Sequence, residues 1–251
     1  MEPRQAPDGV DGRRFFFIHV MKTAGTSFAF HVRRAFREAE IYPNRHDLRH
    51  EGDVEPYTSI ERLQNLPERR RAEISLYMGH FPYVACELAG VDSVPLTILR
   101  EPFARTVSVL SHFGRLQKYQ GRSLEEIYDD SDVFDLWIDN HQTKIFSISP
   151  DDEPRALARP IVIDAERLRV AKANLAKVSA IGFTDRYEAF IEELRGRFGW
   201  WPEGIDVRAR ANVSDQEPRV SSELRRRIMA DNVSDFELYE FAGELVVDRR
   251  H

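Results

Sequence analysis

Apolar positions in this chain come in short, nearly unbroken runs separated by stretches with helical spacing. Residues 14–20 (RFFFIHV) have almost no polar interruption, the pattern of a parallel strand buried on both faces. The run gives way to MKTAGT, a loop of small and hydroxyl residues, and residues 27–40 then read as a helix. A second strand is expected over 74–77, leading into Met78, Gly79 and His80, and a third over 94–99 (VPLTIL). Pro95 restricts that third strand to a sheet edge, or itself to the first position. Pro102 stands where the next helix would begin, because its missing N–H costs nothing there. Val107, Leu110 and Phe113 follow at helical spacing.

Further on, residues 123–146 read as helix in two pieces, with Trp137, Ile138 and Ile145 as core candidates. Residues 149–159 read as a loop, 165–177 as a helix and 178–183 as a strand. Asp185 and Glu188 have capping-box spacing ahead of a helix that puts Tyr187, Phe190, Ile191, Leu194 and Phe198 on one face. Two helical stretches close the chain, the second starting near Ser234 with Glu237 in the box position. Strands alternating with helices imply a mainly parallel sheet covered on both faces, a three-layer α/β architecture. Residues 1–13 read as a disordered lead-in, and 14–251 as one domain.

Composition narrows the function classes. The chain has 251 residues, 42% hydrophobic and 11% aromatic, enough for a sizeable core. Lys plus Arg number 36 against 42 Asp plus Glu, a net charge of −6, which argues against a general nucleic-acid binder. The runs 69–71 and 225–227 (both RRR) read as solvated helix faces. No apolar stretch is long enough to cross a membrane, and the first residues lack the apolar core of a secretory signal. The single cysteine, Cys86, excludes an intramolecular disulfide framework, so a reducing cytoplasm is expected. His46 and His50, four apart in a polar stretch, read as solvated rather than as a metal site, and no metal-ligand spacing appears elsewhere.

In parallel α/β sheets ligands bind at the carboxyl ends of the strands. That rule brings Lys22, His80 and Arg100, each at a strand end, to one rim. In HVMKTAGTS (19–27), Lys22 follows the strand, Gly25 lets backbone approach a ligand, and Thr26 and Ser27 offer hydroxyls at the helix start. An anionic phosphate would meet converging amides, a helix dipole and an ammonium there. A Walker A loop it is not, since the lysine precedes the small residues instead of standing before the Ser or Thr. In LREPFARTVS (99–108), a guanidinium at a strand end and a serine eight residues later can share one phosphate. In YMGHFPY (77–83), His80 is an imidazole suited to proton abstraction near neutral pH.

Together these three segments resemble the family 2 (heparan-sulfate 2-O-type) sulfotransferases, whose loop is commonly written H-I-P-K-T-G/A-G-T-S; Val20 and Met21 replace the Ile and Pro. Glu101 and Pro102 match the family's R-D/E-P pattern. The segments 139–144 (DNHQTK), 181–194 (IGFTDRYEAFIEEL) and 210–214 (RANVS) resemble further family elements, so the likeness runs from about residue 14 to 245. The resemblance implies a P-loop-NTPase-like fold and transfer of a sulfuryl group from 3'-phosphoadenosine 5'-phosphosulfate to a hydroxyl or amine, without metal. It implies His80 as base, Lys22 on the leaving oxygen, and Lys22, Thr23, Ala24, Gly25, Thr26 and Ser27 around the 5'-phosphate. Arg100 and Ser108 would hold the 3'-phosphate. A carbohydrate or small metabolite is the expected acceptor. Some relatives carry a second histidine two residues before the base; here that place is Met78.

Two other classes fit parts of the pattern. A nucleotide-dependent kinase or NTPase would need a magnesium site and a differently placed lysine. A non-catalytic module binding adenosine 3',5'-bisphosphate would need no base, and His80 stands on the same rim.

Overall fold

The computed structural model describes residues 12–90, 92–152, 160–201 and 218–249. Most of the 1–13 lead-in, residues 153–159 of the loop and the whole 210–214 segment, Asn212 included, lie outside the described residues.

Five strands form one wholly parallel sheet: β1 (Phe15–Ile18), β2 (Ile41–Tyr42), β3 (Leu76–Gly79), β4 (Val94–Leu99) and β5 (Ala180–Phe183), in the order β2-β3-β1-β4-β5. The helices are α1 (Gly25–Ala35), α2 (Ile60–Gln64), α3 (Glu68–Glu73), α4 (Val84–Leu88), α5 (Pro102–Phe113) and α6 (Leu124–Tyr128). They continue with α7 (Ser131–Val133), α8 (His141–Ser147), α9 (Ala165–Ala176), α10 (Tyr187–Phe198), α11 (Ser222–Asp231) and α12 (Val233–Asp248). None of them is long and apolar enough to cross a membrane.

The unbroken apolar run places β1 at the centre, and the pleat divides its side chains between two cores. Phe15 and Phe17 pack with Phe28, Val32, Tyr187 and Phe190 of α1 and α10. Phe16 and Ile18 pack on the opposite face with Phe146, Leu175 and Leu238 of α8, α9 and α12. All four β1 residues are at most 1% exposed; each contributes about 1.5–3 kcal/mol by burial. This is the three-layer α/β arrangement expected from the alternation.

Several local expectations are revised. β4 is an interior strand in spite of Pro95, which occupies its second position. The β5 ladder starts only at Leu96↔Ala180, so the missing proline N–H interrupts nothing on that side. The first helix ends at Ala35, not 40, because Phe36 turns extended and sets its ring edge-on to Trp200 at 4.8 Å. Residues 123–146 are broken more often than expected. Asp130 caps α7, a π-helical turn (Phe134–Ile138) follows, and Asn140 adopts φ 42° before α8.

Neither expected capping box forms. Residues Thr184–Arg186 make a 3-10 turn, and α10 begins without a side-chain cap. Ser234 lies inside α12, whose N-cap is Asn232. In the run at 69–71 only Arg69 is solvated as expected. Arg70 grips both oxygens of Asp47 at 2.8 Å and the Ile41 carbonyl at 2.8 Å, and Arg71 donates to the carbonyls of Leu66 and Ala89. In the 225–227 run, Arg225 lies over the Phe103 ring at 3.9 Å and Arg227 pairs with Asp129 at 2.6 Å.

Strand order fixes where a ligand can enter. The chain leaves β1 towards β2 on one side and leaves β4 towards β5 on the other. The carboxyl ends of β1 and β4 therefore diverge and open a crevice, the topological switch point of the sheet.

Candidate functional site

The loop after β1 is the most constrained backbone on this rim. Lys22 has φ 69° and Ala24 φ 63°, left-handed values that L-residues reach at a cost of about 1–2 kcal/mol each. Thr23, fully buried, donates its hydroxyl to the Val20 carbonyl at 2.7 Å and braces the loop from inside. That hydroxyl is committed inward, so only the Thr23 amide could face a ligand. Ala24 caps α1 without a side-chain acceptor, and no acidic residue stands in the first turn. Left-handed backbone running into an uncapped helix start turns amides towards a common point, a concavity that suits anions. Thr26 is exposed and Ser27 is 5% exposed.

Gly25 also has a packing role that the sequence did not reveal. A Cβ there would lie 1.8 Å from Nε2 of His19, so the space is filled by the protein's own imidazole. His19 stacks on Phe17, ring centroids 5.7 Å apart, and on His80, centroids 4.4 Å apart with planes 28° from parallel. A second histidine thus stands beside His80, supplied by β1 instead of by the Met78 position of β3.

His80 follows β3 directly. Its N–H donates to the Tyr57 carbonyl at 2.7 Å, and its ring Nδ1 lies 3.3 Å from the His19 carbonyl. A carbonyl only accepts, so Nδ1 carries the proton and the Nε2 lone pair is left to act as a base. Burial lowers the His80 pKa, partly offset by that hydrogen bond. His19 is held well below the ordinary imidazole range, first by burial and then by His80 and Lys22. Both rings are therefore neutral near pH 7.

Arg100 is the first residue beyond β4, and its guanidinium Nη1 donates to the Lys22 carbonyl at 3.4 Å. This bond crosses the crevice and ties the two sides of the switch point. The Lys22 ammonium has its pKa lowered by burial and by the neighbouring Arg115 and Arg100. Burial, and then Lys22 and Arg115, lower His112. A self-repelling positive cluster of this kind is relieved when an anion arrives. Ser108 lies two turns into α5, half-buried; no described contact joins it to Lys22, His80 or Arg100.

Four residues behind the rim were not assigned roles from the sequence. Arg105, fully buried, donates to the carbonyls of Met21, Trp137 and Ile138, and burial pushes its pKa down to about 10. Asp235 supplies the opposing charge and accepts from Gln142 N, Thr143 N and Thr143 Oγ1 at 3.1, 2.7 and 2.9 Å. Gln142 meets the Arg100 peptide with both ends of its amide. His141 directs Nδ1 to the Leu136 carbonyl at 2.9 Å. Gln142 and His141 fall in the 139–144 segment, so the sequence marked the place but not the contacts.

Glu101, read only as part of a pattern, caps α5 by accepting from Phe103 N and Ala104 N. His46 accepts from Arg45 and His50 contacts the Glu51 carbonyl, both on the surface. Among the described residues no three His, Cys, Asp or Glu side chains gather as a metal site would require. A concavity of about 770 Å³ lies at the opposite, amino end of β5, between α9, α10 and α12. Its cations are committed: Arg249 donates to the carbonyls of Val178 and Ala176, and Arg197 to that of Ser179. The rim, not this concavity, carries the convergent chemistry.

Compared with known protein families and with curated proteins, the chain matches none.

Proposed function

We propose that this chain is a sulfotransferase that takes a sulfuryl group from 3'-phosphoadenosine 5'-phosphosulfate and delivers it to a hydroxyl or amine. The observation that carries the reading is the bond from Arg100 to the Lys22 carbonyl across the switch-point crevice, with the His80 imidazole, its Nδ1 engaged by the His19 carbonyl, one strand away. The donor, when bound, supplies an activated sulfuryl group and two phosphates. The residues present suit it: an uncapped helix start and left-handed loop for one phosphate, and a guanidinium on the facing strand end for the other.

In this reading the amides of residues 23–27 and the Lys22 ammonium hold the 5'-phosphate. Lys22 also neutralises charge on the oxygen that leaves sulfur. Arg100, with Ser108 further along α5, holds the 3'-phosphate that separates this donor from ATP. His80 Nε2 takes the proton from the acceptor as its oxygen or nitrogen bonds to sulfur. Sulfuryl transfer resembles phosphoryl transfer in asking mainly for positioning and charge stabilisation. A neutral His80 and a cationic, preformed cradle meet that demand.

The acceptor is proposed to be a carbohydrate or small metabolite, met on the β3 side of the rim. Calorimetric titration tests the reading before any acceptor is known. Adenosine 3',5'-bisphosphate should bind at least about tenfold tighter than AMP, the step that one charge-assisted contact supplies. Equal affinity for the two would overturn the proposal.

A further inference from the structure

Arg100 sits where the sheet runs out. The β4 ladder pairs with β1 as far as Thr97 and with β5 as far as Leu99, so the next peptide has no strand neighbour in either register. Gln142 takes that place. Its Oε1 accepts from Arg100 N at 3.1 Å and its Nε2 donates to the Arg100 carbonyl at 2.9 Å. One side-chain amide thus reproduces the donor–acceptor pair of a neighbouring strand, and both of its polar ends are satisfied in a site only 1% exposed.

The clamp is itself held. Gln142 N and Thr143 N donate to the Asp235 carboxylate, Asn140 N donates to Asn232 Oδ1, and Asn140 Oδ1 accepts from Asp235 N, the last two at 3.0 Å. A buried side chain fixed at both ends has little rotamer freedom left, so the Arg100 backbone is positioned before any ligand arrives. From that backbone the guanidinium reaches across to the Lys22 carbonyl.

We propose that Gln142 is a positioning residue for recognition of the donor's 3'-phosphate: it fixes the Arg100 peptide so that the guanidinium meets that phosphate in one orientation. The inference rests on the sulfotransferase reading above. A residue that merely fills the core would, on replacement, weaken all nucleotides alike. A clamp on Arg100 weakens chiefly those carrying a 3'-phosphate, because the 5'-phosphate is held by the amides of the loop after β1, which Arg100 touches only at the Lys22 carbonyl.

The test is calorimetry with adenosine 3',5'-bisphosphate and with AMP on the wild-type chain and on Gln142→Met, which keeps length and apolar packing but makes neither hydrogen bond. The expected result is a loss of about tenfold or more in bisphosphate affinity, with AMP within about twofold of wild type. A preference that survives the substitution, or an equal loss for both nucleotides, overturns the proposal. Should Gln142→Met fail to fold, as judged by its melting curve, Gln142→Glu gives the same readout. It keeps an acceptor for Arg100 N but sets an oxygen against the Arg100 carbonyl, and retained preference there is equally fatal. A wild-type chain indifferent to the 3'-phosphate sinks the sulfotransferase reading, and the clamp's purpose with it. A wild-type preference untouched in the variants sinks the clamp alone.

Discussion

Replacing Gly25 by Ala gives the sharpest separation between helix propensity and packing at this site. Gly25 is the first residue of α1, where alanine is the better helix former by about 1 kcal/mol. Against that, the new Cβ would lie 1.8 Å from Nε2, 2.2 Å from Cε1 and 2.5 Å from Cδ2 of His19. The ring cannot simply swing aside, since it is stacked between Phe17 and His80 and its own backbone N–H is bonded to Gly79. Overpacking of this kind costs about 1–3 kcal/mol, and the lost stacking about 0.5–1.5 kcal/mol more. After the propensity gain the net destabilisation centres near 2 kcal/mol, which lowers the melting temperature of a chain this size by roughly 4–8 °C.

Thermal melting of Gly25→Ala, beside titration with adenosine 3',5'-bisphosphate, measures both consequences: a less stable chain and a displaced loop that binds more weakly. The double variant carrying His19→Ala as well should recover part of the loss, because the clash has then lost its second partner. A Gly25→Ala chain that melts at or above the wild type, with unchanged binding, would refute the reasoning.

His80→Ala should bind adenosine 3',5'-bisphosphate as the wild type does yet turn over about 10²–10⁴-fold more slowly, in line with removal of a general base. Mass spectrometry of a metabolite extract incubated with donor measures the turnover, and parallel losses of binding and rate count against the base role. Acid should destabilise the fold, because burial lowers His19, His80 and His141. Their folded pKa values lie below the ordinary value of about 6.5, so the unfolded chain takes up protons first and stability falls as pH drops below about 6.5. Melting curves from pH 7.5 to 5.5 check the sign; a flat profile would contradict it. Asp235→Ala strips three hydrogen bonds from α8 and leaves Arg105 buried beside no opposing carboxylate. A loss of about 3–5 kcal/mol is expected in urea denaturation, with Asp235→Asn losing less because it keeps an acceptor for Thr143.

The framework of this molecule was readable where a local pattern was strong enough to stand without its neighbours. The run at 14–20 announced a doubly buried strand, observed at Phe15–Ile18, and the strand ends next to His80 and Arg100 followed from the alternation, whereas Lys22 lies four residues past its strand, in the loop. β2 could not be read in the same way. Its two residues sit in a polar stretch, 41–67, that looks like a loop and becomes sheet only by pairing with Leu76 and Tyr77. Arg70 and Arg71 looked like solvent-facing charges because their carbonyl and carboxylate partners come from distant segments. The layer behind the rim was hidden for the same reason. Gln142 and Arg100 are separated by 42 positions, and Gln142 and Asp235 by 93. No spacing rule connects residues so far apart. Gly25 was read as a residue that lets backbone approach a ligand; that its missing side chain also makes room for the His19 ring, six positions earlier, was not legible.

The network that steadies Arg100 has a consequence for how the chain becomes competent. The rim residues Lys22, His80 and Arg100 belong to the first hundred positions and can meet soon after synthesis, but their backing comes from Asp235 of α12 and from Asn232, its N-cap. Contacts of such long sequence separation form late. During translation the crevice is therefore outlined well before it is rigid, and the selective nucleotide capture proposed above should switch on only when α12 docks.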